Sequence, residues 1–193
     1  MKLDPLILAD LAVSVRPQGY LRVTPMRYAA TPLGMGVGLT RFASPNGDFT
    51  VLYLARDLTT SIAETLVRDR FQNRSKRRLL EAEAALWGVT IVDASSALTL
   101  LDLRTTGLVR LGVSTDAARG KSQTQGRRLS EAVYEQTYAD GFFYLSRLTG
   151  GNCLCIFDRS LPSLMASPVI ELSRVAGFVQ ALKTLNVTVV ATD

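Results

Sequence analysis

The chain of 193 residues contains no histidine. That absence excludes Ser-His-Asp and Cys-His catalysis, an HExxH zinc site and any imidazole acid/base chemistry. Cysteine is scarce: only Cys153 and Cys155 occur, both in the apolar run NCLCIF. Neighbours at i and i+2 of a strand share a face but rarely meet disulfide geometry, and two thiols alone make no metal site. Buried free thiols and no metal are expected. No apolar stretch approaches the roughly 18 to 20 residues of a membrane span. The N-terminal MKLDPLILADLAVSV carries Asp4 and Asp10 without a basic leader, so it makes a poor signal peptide. A cytoplasmic protein without membrane contact is expected.

Apolar residues make up 47% and charged residues 20%, a globular balance. The length suits a single domain over residues 1–193, and no linker or repeat divides it. A net charge of +5 favours anionic partners without choosing among nucleotides, nucleic acid and acidic protein.

The elements expected along the chain are mixed. An N-terminal helix is followed by a turn at Arg16-Pro17-Gln18-Gly19 and a short strand at Tyr20–Val23. The glycine-punctuated TPLGMGVGLT of residues 31–40 predicts a loop. It lacks the G-x-G-x-x-G spacing of a dinucleotide fingerprint. Phe49–Ala55 predicts a buried strand and Asp57–Asn73 a helix. Leu79–Leu103 combines a helical start with a strand, and the polar Arg104–Arg128 stretch predicts a loop with a short helix. A helix over Ser130–Tyr138, two strands around Gly150-Gly151, a helix over Phe178–Leu185 and a last strand at Val187–Val190 complete the list. Without regular βαβ alternation, the expected class is α+β with a mixed, largely antiparallel sheet.

The segment RFASPNGDFTVLYLARDLTTSIAE, Arg41 to Glu64, concentrates the chemistry. Arg41 offers a guanidinium for phosphate, Tyr53 an aromatic face for a flat ring, and Glu64 a carboxylate to stabilise a developing cation. Each also has a plain structural reading. Arg41 and Arg22 could sit in salt bridges, Tyr53 in the core, and Glu64 in an S-x-x-E capping box with Ser61. A second cationic feature is the run Arg68, Arg70, Arg74, Lys76, Arg77 and Arg78. On a continuing helix, positions 70, 74, 77 and 78 would form a stripe for nucleic acid or an acidic protein, or simply a solvated face. Few aromatics accompany it, so a single-strand stacking platform is poorly supported.

The succession YLRV, LTRFASPNG, VLYLARDLTTSIAE and DGFFYLSR…GGNCLCIF resembles the RES domain over about Tyr20 to Phe157. The resemblance implies a fold like that of bacterial ADP-ribosyltransferases, consumption of NAD+ as substrate, and the toxin role in a toxin–antitoxin pair. It also implies an antitoxin, usually with an Xre-like DNA-binding domain, that blocks the site. The family's two arginines match Arg22 and Arg41, its tyrosine Tyr53, its glutamate Glu64 and its serine Ser146. Arg22, Arg41, Tyr53 and Ser146 are thereby expected to bind NAD+, and Glu64, Arg41 and Tyr53 to act in catalysis. Arg147 is a weaker candidate for substrate or partner contact. One departure is Thr40, where the family commonly has glycine before the second arginine. The leading reading is cleavage of the nicotinamide–ribose bond with ADP-ribose transfer to a protein. Water or phosphate as acceptor is the second, and a nucleic-acid-binding or ribonuclease-type toxin using residues 68–78 is an alternative of another class.

Overall fold

The structure, a computed structural model, describes residues 1–36, 38–71, 74–120 and 122–191. Eleven strands occur among these residues: β1 Ala12–Val15, β2 Tyr20–Pro25, β3 Val51–Ala55, β4 Arg77–Leu80, β5 Trp87–Ala94, β6 Leu98–Asp102, β7 Gly141–Leu145, β8 Asn152–Phe157, β9 Leu164–Ala166, β10 Ile170–Glu171 and β11 Val187–Val190. The α-helices are α1 Pro5–Leu11, α2 Leu58–Ile62, α3 Arg68–Arg70, α4 Glu81–Ala84, α5 Gly107–Arg110, α6 Asp116–Arg119, α7 Thr124–Gln136 and α8 Phe178–Thr184. A π-helical turn, Ala63–Val67, joins α2 to α3.

One sheet runs β1-β6-β7-β8-β3-β2-β5-β10, with β9 also on β5. Only the β6–β7 pairing within it is parallel, so the expected mixed, largely antiparallel sheet is present. The outer pair β4 and β11 forms a separate parallel sheet.

The central strands read as unbroken apolar runs because both faces are covered. On β3, Val51, Tyr53 and Ala55 face the cluster of Phe42, Leu129, Phe142 and Phe157, while Leu52 and Leu54 face that of Val92, Leu100 and Ile156. Strand β8 alternates likewise. Cys153 and Cys155 share the first face and are buried free thiols, as their spacing predicts. At Gly141 (φ +150°) a Cβ would lie 1.9 Å from Cys155 O, so only glycine lets β7 start this close to β8. A third cluster, with Ile62, Leu66, Phe71, Leu79, Phe178 and Val187, packs α2, the π turn and α8 between the two sheets.

Three sequence expectations change. The Asp57 helix begins as predicted, but it is interrupted by the π turn, and its expected end at Asn73 lies outside the described residues. The capping box is not formed at Ser61: Asp57 is the N-cap, its carboxylate accepting from Thr60 N at 2.8 Å. The stretch 104–128 holds α5, α6 and the start of α7, more helix than the expected loop with one short helix. Short helices bounded by Gly107, Gly112 and Gly120 carry too few apolar repeats for their period to be legible.

Candidate active site

The site forms where α2 and its π turn pass over the sheet. Ser61 lies inside the helix, and its Oγ accepts from Val23 N of β2 at 3.1 Å. That bond docks the helix on the strand and sets the next turn over the β3–β2 junction. Thr60 Oγ1 donates to Asp57 Oδ2 at 2.8 Å and lies 2.9 Å from Thr149 Oγ1, so the helix start is tied to the β7–β8 hairpin.

Glu64 follows in the π turn, a helix distortion that often marks functional sites. Ser146, just past β7, accepts at its Oγ from Leu148 N at 3.1 Å and Thr149 N at 3.2 Å. With both lone pairs occupied, its single proton is directed to Glu64 Oε1 at 2.6 Å. The other oxygen, Oε2, stands 3.6 Å from Arg68 NH1 one turn on. The carboxylate is thus gripped at both oxygens, with a side-chain exposure of 21% that leaves it open to a ligand.

Below Glu64 lies a pocket of about 340 Å³, lined by Arg22, Thr40, Tyr53, Glu64, Thr65, Arg68, Trp87, Tyr144 and Cys153 among others. The volume falls in the range of small-molecule sites, roughly 300 to 1,000 Å³. Tyr53 sits in β3 with its hydroxyl accepting from Phe42 N at 2.9 Å and donating to Thr40 Oγ1 at 3.0 Å. Thr40, the departure from the family pattern, therefore supplies an acceptor that glycine lacks. Burial raises the Tyr53 and Tyr144 phenols far above their ordinary range, so both stay neutral hydrogen-bonding groups.

Arg22 lines the pocket and reaches outward, donating to Pro32 O at 3.0 Å and Gly34 O at 2.7 Å. It thereby fastens the glycine-punctuated loop to the pocket's edge. Burial lowers its guanidinium to about 10, which leaves it charged at neutral pH. Arg41 lies beside the pocket rather than in its lining, within electrostatic reach of Tyr144, Arg147, Glu64 and Tyr53. Its segment is held by α7: Arg127 donates to Leu39 O at 3.0 Å, and Ser130 to Phe42 O at 2.6 Å. At Gly126 a Cβ would meet Arg41 O at 2.5 Å. Neither Arg22 nor Arg41 makes an ion pair among the described residues, which removes the salt-bridge reading of both.

Arg22, Tyr53 and Glu64 thus converge on one pocket, Ser146 reaches it through Glu64, and Arg41 flanks it. Sequence reasoning missed Tyr144, Trp87 and Arg68. Tyr144 carried a usable signal, two positions before Ser146 in the same YLSR motif. Arg68 was grouped with the cationic run, and that run does not form a helical stripe. The helix ends at Arg70, which pairs with Glu83, whereas Arg77 and Arg78 belong to β4. No group of three or more potential metal ligands occurs among the described residues, and no described helix is long and apolar enough to cross a membrane.

The chain resembles known proteins in sequence and in fold. "Probable toxin y4kH" of Sinorhizobium fredii (strain NBRC 101917 / NGR234) is 40% identical over 74 residues, 38% of this chain. The match spans 58% of that relative's own length. A chain of the crystal structure of the M. tuberculosis MbcT–MbcA toxin–antitoxin complex superposes with a TM-score of 0.65. That likeness covers 88% of this chain and 93% of the other at 17% identity, a similarity of fold. The RES domain model matches residues 14–178, from the edge strand β1 to the start of α8 and across every residue of the pocket. This chain belongs to the RES domain family.

Proposed function

We propose that the protein is the toxin of a toxin–antitoxin pair. Acting in the cytoplasm, it cleaves NAD+ at the nicotinamide–ribose bond and transfers ADP-ribose to a protein acceptor. The observation that carries this reading is the carboxylate of Glu64, oriented by Ser146 and Arg68 at the wall of a pocket rich in arginine and tyrosine. Nicotinamide leaves as a neutral molecule, so the step needs little general acid. It needs negative charge beside the cationic ribose that develops as the bond breaks. Glu64 supplies that charge and an acceptor for a ribose hydroxyl. Arg22 and Arg41 hold the pyrophosphate, and Tyr53 supplies a ring face or hydroxyl to the substrate. A site without histidine works by position and charge, in keeping with this division of roles.

Water or phosphate as acceptor is the second reading of the same site. The nucleic-acid alternative loses its main support because residues 68–78 do not form one helical face. The proposed inhibitor is an antitoxin with an Xre-like domain covering the pocket mouth. The test is incubation with NAD+, with and without phosphate and cell lysate, following nicotinamide and labelled proteins. The Glu64→Gln variant is expected to lose about 100-fold or more in turnover while its circular dichroism is unchanged. Nicotinamide release by neither the native chain nor any condition would sink the reading. Free ADP-ribose or its phosphate in place of labelled protein would select the second.

A further inference from the structure

The two-stranded sheet carries a feature unrelated to the pocket. Parallel strands are normally covered on both faces. Here Leu79 of β4 and Val187 of β11 face inward onto Phe178, Leu182 and Phe71, with Val189 packed beside them. The alternate side chains face out: Arg78 and Leu80 from β4, Thr188 and Val190 from β11, with Lys76 and Asn186 just before each strand. In the register of the pair, Arg78 lies opposite Thr188 and Leu80 opposite Val190. A recess of about 500 Å³ opens here, lined by Ser75, Lys76, Arg77, Arg78, Asn186 and Thr188, with no carboxylate in its lining.

The recess is fixed by bonds across its base. Arg77 NH1 donates to Leu185 O at 2.7 Å, and Asn186 Nδ2 donates to Ser75 O at 3.3 Å. Lys76 and Arg78 are exposed and make no ion pair among the described residues. The surface therefore grades along the strands from cations beside hydroxyl and amide groups to the aliphatic pair Leu80 and Val190.

We propose that this outer face of β4 and β11 docks an extended acidic segment of a partner protein, with carboxylates at Lys76 and Arg78 and an apolar side chain at Leu80 and Val190. Charge complementarity selects an anionic partner. The aliphatic end selects protein over nucleic acid, since no aromatic side chain is present to stack a base and a phosphate gains nothing from Leu80 or Val190.

The probe is a fluorescein-labelled peptide in which two glutamates and then two leucines alternate with serines, its binding to the full chain read by anisotropy. The K76E/R78E double variant is expected to weaken binding about tenfold or more, and glutamine in place of the peptide's glutamates to do the same. L80S weakens it as well, whereas Arg128→Gln, an exposed cation on α7, leaves it unchanged. A peptide with lysines for glutamates binds the double variant more tightly than the native chain, which separates loss of charge from loss of fold. The proposal is overturned if charge reversal leaves binding unaltered or if Arg128→Gln weakens it equally. It is also overturned if single-stranded DNA of equal charge binds through Lys76 and Arg78 more tightly than the peptide. NAD+ turnover in the double variant equals that of the native chain, and failure of the proposed reaction would not touch the peptide result.

Discussion

Ser146 bonds to Glu64 and stands outside the lining of the pocket. Its hydroxyl oxygen accepts two backbone N–H groups of the hairpin turn, and its proton is left with one destination. Ser146→Ala removes the bond that orients Glu64 while leaving the carboxylate and its charge in place. Turnover is expected to fall about 10- to 100-fold, mostly in kcat, because a misplaced carboxylate costs stabilisation of the transition state more than binding. The turn amides are partly solvated, so the stability cost is about 1 kcal/mol. Steady-state kinetics with a thermal melt separate the two. A kcat unchanged with a lowered melting temperature would make Ser146 a turn residue only. Tyr53 presents a similar division, with its hydroxyl bridging Phe42 N and Thr40 Oγ1. Glycine at position 40 would remove the acceptor, and Tyr53→Phe would orphan the Phe42 amide.

Helix entry shows where local sequence signals compete. S-x-x-E at Ser61 and Asp57 four positions earlier both satisfy N-cap chemistry, and the structure uses Asp57. The reason is packing: Ser61 is needed inside the helix as acceptor for Val23 N, and Glu64 is turned to the pocket. Asp57→Ala is expected to cost about 1 kcal/mol in a urea unfolding series. Glu64→Gln, which retains an acceptor for Ser146, shifts stability within about 0.5 kcal/mol. If the order reversed, Glu64 would be the capping partner after all. Strands β2, β3, β5, β7, β8 and β11 were legible because apolar runs end at Gly150-Gly151 and at other turn residues, whereas β1, β4, β6, β9 and β10 were not read. The π turn was not, since one inserted residue barely disturbs the spacing of Ile62, Leu66 and Phe71. The helices α5 and α6 and the first turns of α7 were not, because tertiary bonds to Leu39, Arg41 and Phe42 help to hold that region, whereas the rest of α7 was read as the helix over Ser130–Tyr138.

Across the whole molecule, the site residues come from segments more than a hundred positions apart, and only the family motifs linked Arg22 and Ser146 to the Arg41–Glu64 unit. Sheet order explains their meeting: β2, β3, β8 and β7 are consecutive neighbours although the chain visits them far apart. The same neighbourhood sets how stability depends on pH. Tyr53 pairs in register with Cys155, and Tyr144 with Cys153, on one face of the sheet. Burial raises all four groups, Cys153 to about 12 and Cys155 well above its usual value. A folded-state pKa above the unfolded one contributes stability that is complete below the unfolded value and lost as pH rises towards the folded value. Unfolded thiols release protons near pH 8.5 to 9, so above about pH 9 the folded chain keeps thiol protons that the unfolded chain has lost. Stability should then fall as pH rises above about 9, by roughly 1 to 3 kcal/mol per pH unit for one or two retained protons, with the tyrosines adding to the loss and Arg22 opposing it above about pH 10. Urea midpoints in reducing buffer between pH 8 and 10.5 measure this directly. The C153S/C155S variant should flatten the loss below pH 10, because the thiols no longer contribute to it. A native chain whose midpoint holds steady across that interval would place both thiols in contact with water, against their position between Tyr53 and Tyr144.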